Sequence, residues 1–235
     1  MRMIWLTLLL CALCAPASAQ EACPLARAVG ADYVCQQQAA QPAPDEVFDG
    51  ALMIGDSICE SIYNYDVIAP LDVEAVVGQS AHSAYLTRNV RRDGRDFTMV
   101  ELAGYLQPSR LLIMLGSNGL DFKEVGAVIE EYHVLLDMLL EAAPDTQIYV
   151  VSLTPTRTKV LERYPGLTTA NVIACNQALY ALAQAHGVHY IDVATTLFDE
   201  AGLELDMACA AGDGQHLTLE GAQRMAQAIR MQVTQ

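Results

Sequence analysis

The chain has 235 residues and is 53% hydrophobic, enough for one domain with a sizeable core and too apolar for a disordered protein. Its 28 acidic against 13 basic residues give a formal net charge of −15. That balance argues against nucleic acid or an anionic membrane surface as a partner, since both are bound through basic surface.

Residues 1–19 have the layout of a signal peptide: Arg2, an apolar run from Ile4 to Leu13, and Ala17-Ser18-Ala19 before Gln20. The run is shorter than the roughly 20 residues a spanning helix needs, and Pro16 follows it. The expectation is a secreted, periplasmic or extracellular protein with no stable membrane anchor after cleavage. Cys23, Cys35, Cys59, Cys175 and Cys209 remain beyond the leader. Export permits disulfides, but an odd count leaves at least one thiol free. Cys23 with Cys35 is the first candidate pair. No C-x-x-C pair suggests a zinc site, and no metal or cofactor is expected.

Residues 20–50 are rich in Ala, Gln and Pro and are expected to form an N-terminal segment and linker, ahead of a main domain over 51–235. Ala51 to Ile54 form a short, continuously apolar run that predicts a buried strand. Gly55 is expected to allow a sharp turn there, and Asp56-Ser57 follow. Ser57 falls where a helix over 58–63 would begin, a favoured place for a capping serine. It falls equally at the C-terminal end of a strand, where open α/β sheets bind ligands. Apolar runs predict further strands at 73–77, 110–115, 147–152 and 188–193. Helical spacing predicts helices at 98–106, 125–142, 169–186 and 219–233, with a long loop over 154–168. Strands alternating with helices imply a parallel sheet covered on both faces. Ser57, Gly78 and Asn118 then sit just after three different strands, converging on one sheet edge.

A serine hydroxyl needs a base to become a nucleophile. His216, in Asp213-Gly214-Gln215-His216, is the candidate, and Asp213 could fold back to fix its tautomer. The Ser57 N–H, the Gly78 N–H and the Asn118 amide are candidate oxyanion donors. Taken singly, Gly78 and Asn118 are ordinary turn residues. Together, Gly55-Asp56-Ser57, Gly78, Gly116-Ser117-Asn118 and Asp213-x-x-His216 resemble the SGNH hydrolases, also called GDSL lipases/acylhydrolases, over roughly 52–229. The resemblance implies an α/β fold, a three-layer α/β/α flavodoxin-like sandwich around a five-stranded parallel sheet. It also implies metal-free ester hydrolysis through an acyl-serine intermediate. Gly119 stands where the family often has Asp after the block's Asn, and Ile58 departs from the usual residue after the serine.

Tyr63, Tyr65 and Gln79 are candidate pocket residues, with Ser80 and His82 at the same mouth. Arg88, Arg91, Arg92 and Arg95, with Arg157, Lys159 and Arg163, could form a positive rim for an anionic substrate or be solvated surface charge. No long amphipathic lid is visible, which favours a small ester or acylated glycan as substrate. The expected activity is hydrolysis of short-acyl, acetyl-type esters, on carbohydrate by family analogy. A lysophospholipase or thioesterase acting on longer chains is the enzymatic alternative, and a catalytically silent glycan-binding module the non-enzymatic one.

Overall fold

The computed structural model describes residues 41–233. The leader, most of the N-terminal segment and the Cys23–Cys35 pair lie outside the described residues. Among those that are described, the order is β1 (Leu52–Gly55), α1 (Glu60–Asn64), β2 (Asp72–Ala75), α2 (Ala81–Leu86), β3 (Val90–Arg92), β4 (Arg95–Phe97), α3 (Met99–Leu106), β5 (Arg110–Met114), α4 (Ser117–Leu120), α5 (Val125–Ala142), β6 (Gln147–Val151), α6 (Thr169–His186), β7 (His189–Ile191), α7 (Ala194–Leu197) and α8 (Leu219–Gln232). A five-stranded sheet runs β2-β1-β5-β6-β7, all parallel, with Leu52 beside Asp72 on one side and Leu111 on the other.

Side chains alternate across a strand, so each apolar run serves two cores. Leu52, Ile54, Leu111, Ile113, Ile148 and Val150 face Leu102, Tyr132, Leu135 and Leu179 from α3, α5 and α6. Met53, Leu112, Met114, Tyr149, Val151 and Ile191 face Ile62 of α1 and Met225 and Ile229 of α8. The result is the expected three-layer α/β/α arrangement.

Several elements differ from expectation. Residues 81–86 form α2, started by a reciprocal capping box between Ser80 and Ser83. The arginine-rich stretch forms the hairpin β3–β4, turned by Asp93 and Gly94, both at positive φ. Three of its four arginines are paired, Arg91 with Asp96, Arg88 with Glu101, and Arg92 with Asp72, and Arg95 lies over the Tyr105 ring. Asp72 opens β2, so Arg92 sits at the sheet edge opposite Ser57. Residues 41–50 are not a free linker. The Ala43 N–H donates to the Arg230 carbonyl at 2.8 Å, Arg230 pairs with Asp45, and Phe48 is buried against α8's side of the sheet. The loop after β6 contains a 3₁₀ turn over Thr158–Glu162.

Candidate active site

Three loops leaving the C-terminal strand ends meet at Ser57. The glycine before the Asp-Ser pair is required for space rather than for unusual backbone angles. A Cβ on Gly55 would run into the Cys59 sulfur and lie 2.9 Å from the Met114 carbonyl. Close packing of the post-strand turn on β5 therefore fixes where Ser57 stands. Ser57 does not cap a helix. Asp56 Oδ1 accepts the Ile58 N–H at 2.9 Å in a turn ahead of α1, and α1 itself begins at Glu60 with no side-chain cap.

The Ser57 hydroxyl faces His216 instead, Oγ to Nε2 at 2.9 Å across 159 positions of sequence. His216 Nδ1 lies 2.5 Å from Asp213 Oδ2. The second carboxylate oxygen of Asp213 accepts the N–H of Gln215 at 2.9 Å and of His216 at 3.0 Å. A carboxylate only accepts, so Nδ1 carries the proton and Nε2 offers its lone pair to the serine O–H. Burial pushes the Asp213 carboxyl upward. The Gln215 amide, the imidazole and the His216 amide outweigh it and hold the group down at about 2. The turn is clamped from β6's loop, where the Arg157 N–H donates to the Gly214 carbonyl at 2.8 Å. Arg157 also pairs with Glu204 at 2.8 Å, so its charge is taken up inside the protein.

Gly78 lies in an exposed turn at φ +76°, a backbone conformation that favours glycine. Among the described residues, the Ser57 and Gly78 amides donate to no protein acceptor. Asn118 is different. Its amide nitrogen donates to Asp56 Oδ2 at 3.1 Å and to the Gln79 carbonyl at 3.0 Å, so both of its N–H bonds are engaged. Asn118 thus clasps together the loops after β1, β2 and β5. Desolvation raises the buried Asp56 carboxyl to about 6, against the Ile58 amide, the His216 charge and the Asn118 amide, which lower it. This aspartate, read from sequence only as part of a motif, is the hub of the clasp.

Of the expected pocket residues, Gln79 reaches the site by its backbone carbonyl, on Asn118, and not by its side chain. Gln79 is buried, and its side-chain oxygen accepts from Asn89 Nδ2 at 2.8 Å. Tyr63 borders grooves along the β2 edge with Asn64 and Val73, and neither groove contains Ser57 or His216. Tyr65 is exposed at the end of α1. Ser80 caps α2, and His82 Nδ1 meets the Tyr85 hydroxyl at 2.8 Å. An aromatic after the nucleophile turn carries no information about direction, and here α1 carries Tyr63 toward the sheet edge.

Fold and constellation define a class: a doubly wound parallel α/β domain with a serine, an imidazole and a carboxylate in line at its C-terminal strand ends. The chain belongs to the GDSL-like lipase/acylhydrolase family, whose sequence model matches residues 53–224. It is therefore a hydrolase of the esterase and acylhydrolase group. No protein of curated function matches it by sequence. Similar solved structures include a GDSL-like lipase from Bacteroides thetaiotaomicron, 15% identical at a TM-score of 0.59, covering 81% of this chain and 90% of that one. A carbohydrate esterase family 3 from Talaromyces cellulolyticus is 19% identical at 0.52, covering 76% and 93%. An acetyl esterase mutant with acetate ion is 19% identical at 0.53, with the same coverage. At these identities the likeness is one of fold.

Proposed function

We propose that the protein is an exported serine esterase that removes short acyl groups, acetyl above all, from small esters or acylated glycans. The observation that carries this is the 2.9 Å approach of Ser57 Oγ to His216 Nε2, backed by the Asp213 contact. Ser57 Oγ attacks the ester carbonyl as its proton passes to His216 Nε2. Asp213 holds the imidazole and balances the imidazolium. The oxyanion is received by the Ser57 and Gly78 N–H groups, and by Asn118 once the substrate oxygen replaces the Gln79 carbonyl as its acceptor. The imidazolium returns its proton to the departing alkoxide, leaving acyl-Ser57. His216 then takes a proton from water, which attacks the acyl carbon. Proton return to Ser57 Oγ releases the carboxylic acid. The balance is ester plus water to acid plus alcohol, with no metal or cofactor in any step.

The acetyl preference draws on the acetyl esterase and carbohydrate esterase among the similar folds, and the export on the apolar leader. One observation favours longer chains: Val77 and Phe122, on loops leaving the same strand edge, are exposed, as is Met207 before the His216 turn. A p-nitrophenyl ester series from acetate to decanoate, with acetate release from acetylated xylan, separates the two. Highest kcat/KM on acetate with release from xylan supports the acetyl reading. A maximum at eight carbons or more assigns the longer-chain one. Ser57→Ala matching the wild type would point to a binding module.

A further inference from the structure

A second group of titratable side chains lies away from the serine. His133 and Asp137 stand four residues apart on α5, so they share a helix face. His186 is the last residue of α6, which packs alongside α5. Helices here run against the strands, so the end of α6 lies toward the N-terminal sheet edge, opposite Ser57. His186 Nε2 is 3.2 Å from Asp137 Oδ1, and His133 Nε2 is 3.7 Å from Asp137 Oδ2. One ligand atom from each residue falls within 4.8 Å of the other two.

We propose that His133, Asp137 and His186 form a binding site for a divalent transition cation, Zn²⁺ first, that staples α5 to α6. Three features favour a cation over a mere pair of ion contacts. Two imidazoles and a carboxylate are the donor set that zinc takes, with water completing the tetrahedron. With metal–ligand bonds of 2.0–2.2 Å, the edge of such a tetrahedron is about 3.3 Å; His186 Nε2 already stands 3.2 Å from Asp137 Oδ1, while His133 Nε2 lies 3.7 Å from the other carboxylate oxygen and has still to close. His186 is also held as a ligand should be. Its Nδ1 meets the Leu182 carbonyl at 2.9 Å, which fixes that nitrogen as the donor and leaves the Nε2 lone pair facing Asp137. Only this imidazole is nearly covered, its side chain 9% exposed, while His133 and Asp137 are more than half exposed and free to close the remaining distance.

The test is calorimetric titration of the untagged full chain with ZnCl₂, beside His133→Ala and Asp137→Asn. Thermal melts of all three are recorded with and without Zn²⁺, and with Mg²⁺ as the hard-cation control. The expected result is one equivalent of Zn²⁺ bound by the wild type, affinity weakened about tenfold or more in each variant, and a Tm raised by Zn²⁺ in the wild type alone. Mg²⁺ moves none of them. Ester hydrolysis by both variants stays at the wild-type level, which separates this site from the Ser57 centre. No zinc binding by the wild type, or binding unchanged in either variant, overturns the assignment.

Discussion

Asn118→Ala is the substitution that separates two roles that one side chain combines. As an oxyanion donor its loss costs on the order of 10²–10³ in kcat. As a clasp its loss strands two acceptors, Asp56 Oδ2 and the Gln79 carbonyl, at 3.1 and 3.0 Å from the missing nitrogen. Asp56 is almost fully buried, and a buried polar group left without its partner costs about 1–3 kcal/mol. For a chain of this size that is roughly 2–4 °C in Tm per kcal/mol, hence a fall of about 4–8 °C for about 2 kcal/mol. Removing the amide also removes one of the groups that lower the Asp56 carboxyl, so the Tm deficit should widen as pH rises. The assay is kcat on p-nitrophenyl acetate together with melts at pH 5 and pH 8. Unchanged kcat refutes the donor role. An unchanged Tm at both pH values refutes the clasp.

Asp56 makes stability pH-dependent on its own account. A carboxyl raised from 3.8 to about 6 by burial binds its proton more tightly in the folded state. Its contribution is therefore complete below pH 3.8 and is lost as pH rises through about 6, up to about 3 kcal/mol. Between pH 4 and 7 the wild type should lose stability relative to Asp56→Asn by an amount of that order, read by denaturant melts; a parallel pair of curves contradicts it. Asp213→Asn keeps an oxygen for the Gln215 and His216 amides but turns an N–H toward His216 Nδ1, forcing the proton onto Nε2, where Ser57 needs the lone pair. For a buried carboxylate that tautomer error costs about 10⁴. Asp213 is half exposed, so a kcat loss nearer about 10²–10³ is expected, and a loss under threefold would dismiss its role. Cys59, Cys175 and Cys209 are buried free thiols, and burial pushes each of them up, Cys175 to about 12. Iodoacetamide mapping should leave all three unmodified in the native protein and alkylate all three in guanidinium.

The sheet and its long helices were legible because their signals are local. The bounds of α5 and α6 follow from apolar spacing closed by Pro144 and Gly187, and β1, β5 and β6 are short apolar runs, whereas edge strand β2 carries Asp72 and Glu74. The hairpin β3–β4 was obscured by its arginines, although Asp93-Gly94 is a turn signal in plain view. The catalytic candidates were legible because residue type and chain order carry them. Their cement was not. Asn118 meets Asp56 across 62 positions and Gln79 across 39, and no pattern of neighbours announces which acceptor an amide will find. Gly55 reads in the sequence as a turn glycine, but it is a sulfur from the next turn, in the place of its Cβ, that requires it. Tyr63, Tyr65 and Gln79 stand close to site residues in sequence, which says nothing about the face on which a side chain emerges. The His133–Asp137 spacing was visible, but its third member arrives from another helix.

The most direct measurement is intact-mass and peptide mapping after incubation with a fluorophosphonate ester. An activated Ser57 predicts one phosphonyl adduct per chain, on the peptide holding Ser57, abolished in Ser57→Ala and strongly slowed in His216→Ala. No adduct on the folded protein, or an adduct on another serine, contradicts a reactive Ser57–His216 pair.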